Sequence, residues 1–319
     1  MSGPNPTDPK AIPSHLVIPF LAMTADKCRV LAERGEEIVP LLGQGKSGRM
    51  LKSRFMAAIK RLREIADRGS YSQTKADLQA DVRAITTSSD FYQIAGVMPH
   101  EMPAHIVRDL FKALNGDVGS RVPDKFLSQY WFGLILARGG VSPGVPREKQ
   151  GRATPDFQVN VDTLDCAVEV KRPESEHSAI GAMDKAAGQL RDYGKPGLIA
   201  MDLTDLFFTP DMAVDHMDHP GLVNAIVNPR FSQFTTRLEN RPPNYRLSDK
   251  YSRIVGTAFF VRLHFWEKPD LTQPKGRYLL SLTTYRQACR GLVVNQAEKL
   301  KRIIFSGAEQ VAGGGVRPL

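Results

Sequence analysis

Two short runs near the middle of the chain alternate apolar and polar residues. In the first, Phe157, Val159 and Val161 interleave with Asp156, Gln158 and Asn160. In the second, Cys166, Val168 and Val170 interleave with Asp165, Ala167, Glu169 and Lys171. Period-two alternation predicts two strands with one face buried. Asp162-Thr163 sits between them as the turn of a hairpin. The register that keeps every apolar residue on one face sets Phe157 opposite Val168 and Val159 opposite Cys166. It also sets Asp156 opposite Glu169, with Lys171 two residues on and so on the same face. A slip of one residue would send one strand's apolar set to the wrong side. Asp-Thr is a weak two-residue turn, so a four-residue loop with the same centre fits equally well.

The pattern then changes period. Arg172-Pro173 ends the second strand, because proline cannot donate to a ladder. Ser178 is read as opening a helix that runs to Tyr193 and is closed by Gly194 and Pro196. Ala182, Ala186, Gln189 and Tyr193 fall on one stripe of it, and Gln189 and Tyr193 are i, i+4 neighbours. Gly197–Met201 reads as a short buried strand. Upstream, Pro123–Arg138 reads as a helix stopped by Gly139-Gly140. Downstream, Ile254–Trp266 and Tyr278–Tyr285 read as strands and Arg286–Ile304 as a helix. From His15 to Ile94 the pattern is helical. Leu51, Phe55, Ile59, Leu62 and Ile65 form one stripe there, and Leu78, Val82 and Ile85 another. Residues 1–13 and the Gly-rich end read as loose. The stretch 204–253 reads as an irregular insertion.

The chemistry lies on the polar face of the hairpin. Directly opposed residues place their Cβ atoms roughly 4.5–5.5 Å apart, and two carboxylates that close repel unless a cation lies between them. Asp156, Glu169 and Lys171, written P-D-x12-E-x-K, are thus a minimal set for holding Mg²⁺ and attacking a phosphodiester. An ordinary solvated face carries the same residue types, so the spacing alone leaves both readings open.

The order helix, strand, strand with E-x-K, helix with Q-x-x-x-Y, strand resembles the core of the PD-(D/E)xK nuclease superfamily. The Gln189/Tyr193 pair is similar to a motif of its RecB-like branch. The resemblance covers roughly residues 120–203. It implies an α/β fold with a mixed central sheet flanked by helices, a restriction-endonuclease-like core at 99–319, preceded by a helical, basic region at 1–98. It implies Asp156 and Glu169 as ligands of Mg²⁺ or Mn²⁺, with the Val170 carbonyl as a further oxygen. Lys171 would orient or activate water or stabilise developing charge. Gln189, Tyr193 and Arg172 would contact nucleic acid or support the site. The implied activity is hydrolysis of phosphodiesters in DNA rather than RNA, in a defence or restriction setting. One departure is the lack of a Glu on the 123–138 helix. Asp124, Gln129, Glu101 and Asp109 are the candidates for a further ligand. The alternative is a non-catalytic nucleic-acid-binding protein of the same fold, and a third reading is an interaction domain with an incidental charged hairpin.

Composition changes this picture little. The chain has 319 residues, 42% hydrophobic and 24% charged, with net charge +9 and pI near 9.5. That balance suits a polyanionic partner without requiring one. Eight basic residues against two acidic ones between Lys46 and Arg68 concentrate the excess; a phosphate grip and a solvated helix are both open. Gly43-Gln44-Gly45-Lys46-Ser47 lacks the first glycine and the strand of a phosphate loop, and Ser47 reads instead as a helix cap. Asp215, His216, Asp218 and His219 match no regular metal spacing. The three cysteines, Cys28, Cys166 and Cys289, form no C-x-x-C and suit a reducing interior. No h-region of a signal peptide is evident, and Leu16–Met23 is too short to span a bilayer. A cytoplasmic protein without a membrane partner is expected, with the oligomeric state open and a homodimer one of the options.

Overall fold

A computed structural model describes residues 15–19, 24–42, 54–72, 74, 76–85, 87–88, 122–146, 154–207, 228–239, 251–267, 270–284 and 294–313. The expectations on Glu101, Asp109, the 43–47 segment, Cys289 and the 215–219 cluster fall outside these residues. The fold is α/β, with a six-stranded mixed sheet and helices on both faces. The strands are β1 (His15–Pro19), β2 (Phe157–Val161), β3 (Leu164–Lys171), β4 (Gly197–Asp202), β5 (Ile254–Glu267) and β6 (Asp270–Thr284). Their spatial order is β1-β6-β5-β4-β3-β2. The helices are α1 (Ala25–Leu42), α2 (Arg54–Arg68), α3 (residues 76–85), α4 (Val122–Arg138), α5 (Glu176–Tyr193), α6 (Thr204–Phe207), α7 (Asn228–Glu239) and α8 (Val294–Gly313).

The hairpin forms in the register that the alternation demands: Phe157 pairs with Val168, Val159 with Cys166 and Val161 with Leu164. The turn is the two-residue one. Asp162 takes a positive φ of 54°, which Asp tolerates better than most residues. Its carboxylate meets Lys299 of α8 at 2.5 Å, and Thr163 accepts a bond from Gln296. The weak turn is therefore held from outside.

β3, α5 and β4 make a parallel crossover, and β4 pairs in parallel with β5. The apolar face of the hairpin continues through Val170, Ala200 and Ala258. α4 packs on that face, where Trp131 and Phe132 stack on Phe260 at 5.0 and 5.7 Å. α5 covers the opposite face. Its buried residues are Ala179, Met183, Ala186, Ala187 and Leu190; the expected stripe of Ala182, Gln189 and Tyr193 is the half-buried flank of this face.

Four expectations are corrected. His15–Pro19 is a strand that pairs with β6 rather than the start of a helix. α5 begins at Glu176, and its cap is Ser175, whose hydroxyl accepts from the Ser178 N–H while the Ser178 hydroxyl caps the Ser175 N–H. Ser178 is thus the third helical residue, the second half of a capping box. The stretch 204–253 is not wholly irregular: Phe231 and Phe234 of α7 pack edge-on against Phe207. β6 starts eight residues before Tyr278, at Asp270, because the β5 register continues as far as Glu267 opposite Asp270.

α4 and α8 touch through two glycines. A Cβ on Gly307 would lie 1.9 Å from the Ile135 carbonyl oxygen, and one on Gly139 would lie 2.2 Å from that of Ile303. Backbone cannot yield there as a side chain would. Gly307→Ala is expected to lower stability by about 3 kcal/mol in denaturant titration. Gly188→Ala, in α5 with open space around its Cβ position, is expected to raise it by up to ~1 kcal/mol.

Candidate functional site

The hairpin and the crossover helix bring Asp156, Glu169, Val170 and Lys171 to one end of β3. Asp156 lies just before β2, and its Oδ2 accepts from the Val170 N–H at 2.7 Å. That bond fixes the carboxylate across the strand from its expected partner, Glu169. Glu169 is 2% exposed. Its Oε1 accepts from Lys171 Nζ, and its Oε2 is buried without a partner. Burial raises the proton affinity of both carboxyls. Asp156 is raised further by the charge of Glu169, while Lys171 opposes the shift at both. Two acids that resist ionising together are what a cation would stabilise.

A cleft of about 600 Å³ opens beside them. Lys125 and Gln129 of α4, Lys171 and Arg172 at the end of β3, and Ser178 and Lys185 of α5 line it. Four cations and one acid, Glu174, which lies 3.9 Å from Lys125, thus line one opening, and Val170 and Lys171 join it to the carboxylate pair. Lys125 and Lys185 were not among the residues singled out by sequence. Lys185 lies one turn before Gln189 on α5, so extending the Gln189/Tyr193 stripe by one step would have found it. Gln129 is the one candidate further ligand whose side chain is placed at the cleft; the side chain of Asp124 is outside the described residues.

Arg172 lines the cleft but is anchored. Its Nε and Nη2 donate to the two carboxylate oxygens of Asp205 at 2.9 and 2.8 Å, and its Nη1 reaches Ser128 at 3.2 Å and Asp202 at 3.4 Å. A guanidinium forked onto one carboxylate has little left to offer a phosphate. Asp202, at the end of β4, is buried. It accepts from Arg262 Nη2 at 2.8 Å, from Ser128 at 2.5 Å and from the Thr204 N–H at 3.0 Å. Arg262 in turn lies 5.2 Å above the Trp131 ring. The sequence signal for this cluster is a lone Asp ending an otherwise apolar strand.

Tyr193 donates to Gln158 Oε1 at 3.2 Å, and Gln158 donates to Asp165 at 2.7 Å. Tyr193 therefore braces the crossover helix on the hairpin. Gln189 has its Oε1 buried without a partner. The basic helix α2 spends much of its charge internally: Arg61 bonds Glu64, Asp77 and the buried Asp81, Arg63 bonds Glu36, and Arg68 lies 3.7 Å from Asp81. Cys166 packs in the core, as expected, and so does Cys28.

Among the described residues no helix is long and apolar enough to cross a membrane, and no group of three or more His, Cys, Asp or Glu side chains converges. No family model, curated protein or solved structure matches this chain.

The Asp202 cluster carries a prediction about stability. Arg262 and Arg172, with the Ser128 and Thr204 bonds, hold the Asp202 carboxyl well below its usual range despite burial. A depressed folded-state value stabilises above the unfolded value near 4 and is lost as pH falls below it. The wild-type denaturation midpoint should therefore drop between about pH 4 and lower pH. Asp202→Ala should lack that component and cost about 3–5 kcal/mol at pH 7, because Arg262 is left buried without its charge partner.

Proposed function

We propose that this protein is a metal-dependent nuclease of the PD-(D/E)xK type that hydrolyses phosphodiesters in DNA. The observation that carries this reading is the buried, unpartnered Oε2 of Glu169, a carboxylate that shares a strand end with Asp156 and is paired with Lys171, a residue that lines the cleft. An orphaned carboxylate oxygen next to a second raised carboxyl fits a divalent ion better than it fits a solvated face. The donors are hard oxygens, which suits Mg²⁺ or Mn²⁺.

Asp156 and Glu169, with the Val170 main-chain carbonyl, would hold the ion. When bound, it supplies charge neutralisation at the attacked phosphate and a more acidic water. The chain does the rest. Lys171 Nζ, held by Glu169, keeps a positive charge beside the reacting phosphate and orients the water that attacks it. Water forms the new P–O bond, and the ester P–O bond to the leaving sugar oxygen breaks. Lys125 and Lys185 carry the flanking phosphates as point charges. Arg172 stiffens the end of β3 from below through Asp205 and Asp202.

The Lys171–Glu169 ion pair also favours a second reading, in which the ammonium itself balances the acids and the protein binds nucleic acid without cleaving it. Divalent ion separates the two. Plasmid, linear duplex and single strands should be cut in Mg²⁺ or Mn²⁺ and left intact in EDTA; a binder would be indifferent to both conditions. Lys171→Ala should slow cleavage ~100-fold or more. Asp156→Asn should abolish it, and should raise the melting temperature of the metal-free protein at neutral pH by removing the repulsion with Glu169. Unimpaired cutting by purified Asp156→Asn protein would overturn the assignment of that ligand.

A further inference from the structure

Two buried oxygens in this region lack donors: Oε2 of Glu169 and Oε1 of Gln189. The crossover topology places them at the same level. β3 and β4 are parallel, so α5, which joins them, runs back along β3. Tyr193 marks one end of the overlap, since it bonds Gln158, the cross-strand partner of Ala167. Lys185 marks the other, since it lines the cleft together with Lys171. Glu169 lies midway between Ala167 and Lys171. Gln189 lies midway between Tyr193 and Lys185. Two residues of strand advance about 6.6 Å, and four residues of helix advance about 6 Å, so the two ladders stay in step. Side chains along α5 lean the same way, so the offset seen at Tyr193 applies at Gln189 as well.

Two acceptors at one level of adjoining elements, each buried without a donor, are each costly to leave unsatisfied. A cation satisfies both, and an amide oxygen is a hard donor suited to it. We infer that Gln189 Oε1 is a further oxygen donor to the divalent ion at Asp156 and Glu169, directly or across one water. This rests on the metal reading above and adds to it a role in ion binding for a residue otherwise expected to touch nucleic acid. It also gives the site a third side-chain oxygen drawn from the crossover helix instead of from α4. Turned the other way, the amide would donate to Glu169. A glutamate at this position separates the two orientations, because an ionised carboxylate cannot donate.

The experiment is titration of the metal-free, full-length protein with Mn²⁺ in the absence of DNA, following free Mn²⁺ by its electron paramagnetic resonance signal. Thermal melts on the same samples confirm folding. Gln189→Ala should weaken Mn²⁺ binding about tenfold. Gln189→Glu should tighten it beyond wild type, a gain that neither misfolding nor loss of a DNA contact can produce. If Asp156→Ala abolishes Mn²⁺ binding while both Gln189 variants bind like wild type, this inference is overturned and the metal reading stands. If Gln189→Glu weakens binding as Gln189→Ala does, the amide acts as a donor to Glu169 and the inference is likewise overturned. If Asp156→Ala binds Mn²⁺ unchanged, the metal reading itself falls, and this one with it.

Discussion

The site depends on one constraint, the register of the β2–β3 hairpin. With Phe157 opposite Val168, Asp156 falls across from Glu169, and its carboxylate accepts from the Val170 N–H. A one-residue slip would expose Phe157, Val159 and Val161 and would also part the two carboxylates. The burial of three large apolar side chains therefore fixes the chemistry of the opposite face. That coupling lets a sheet hold two like charges together: the energy that opposes their separation comes from the core, not from the site.

The hairpin cannot hold its polar face alone. Asp162-Thr163 is a poor turn by composition, and it is secured by Lys299 and Gln296 from α8. The polar face is closed by α5, braced through Tyr193 on Gln158. The end of β3 is clamped from the apolar side by Arg172, just past the strand, with Asp202, Ser128 and Arg262, drawn from β4, α4 and β5. Each anchor lies far along the chain from what it holds. The carboxylate pair is thus the product of the whole sheet, even though its two acids are thirteen residues apart.

Charge is distributed with a similar economy. The basic excess of the amino-terminal region invites a phosphate-binding reading, yet within α2 Arg61, Arg63 and Arg68 face acids on α1, α3 and α2 itself. Cations that line the cleft are Lys125, Lys171, Arg172 and Lys185, scattered along the sequence, and the first three also meet acids, Glu174, Glu169 and Asp205. A local run of like charge is a poor guide to where a polyanion would bind, because neighbouring helices can consume it. Convergence from separate elements is a better one, and it requires the fold.

By itself the sequence determined the hairpin, its register, the crossover helix to its last residue and the two buried stripes of α2 and α3. These follow from periodicity, and periodicity is a local property enforced by burial on one face. It also placed Asp156, Glu169 and Lys171 on a common face. Only the tertiary structure decided that His15–Pro19 closes the far edge of the sheet, that α7 lies within the 204–253 stretch, and that Arg172 is held by Asp205 and Asp202. It alone brought Lys125 and Lys185 to the cleft and left Glu169 and Gln189 each with an unanswered oxygen. Edge pairing, ion pairing and the satisfaction of buried polar atoms depend on partners from distant segments, and no window along a chain contains both members.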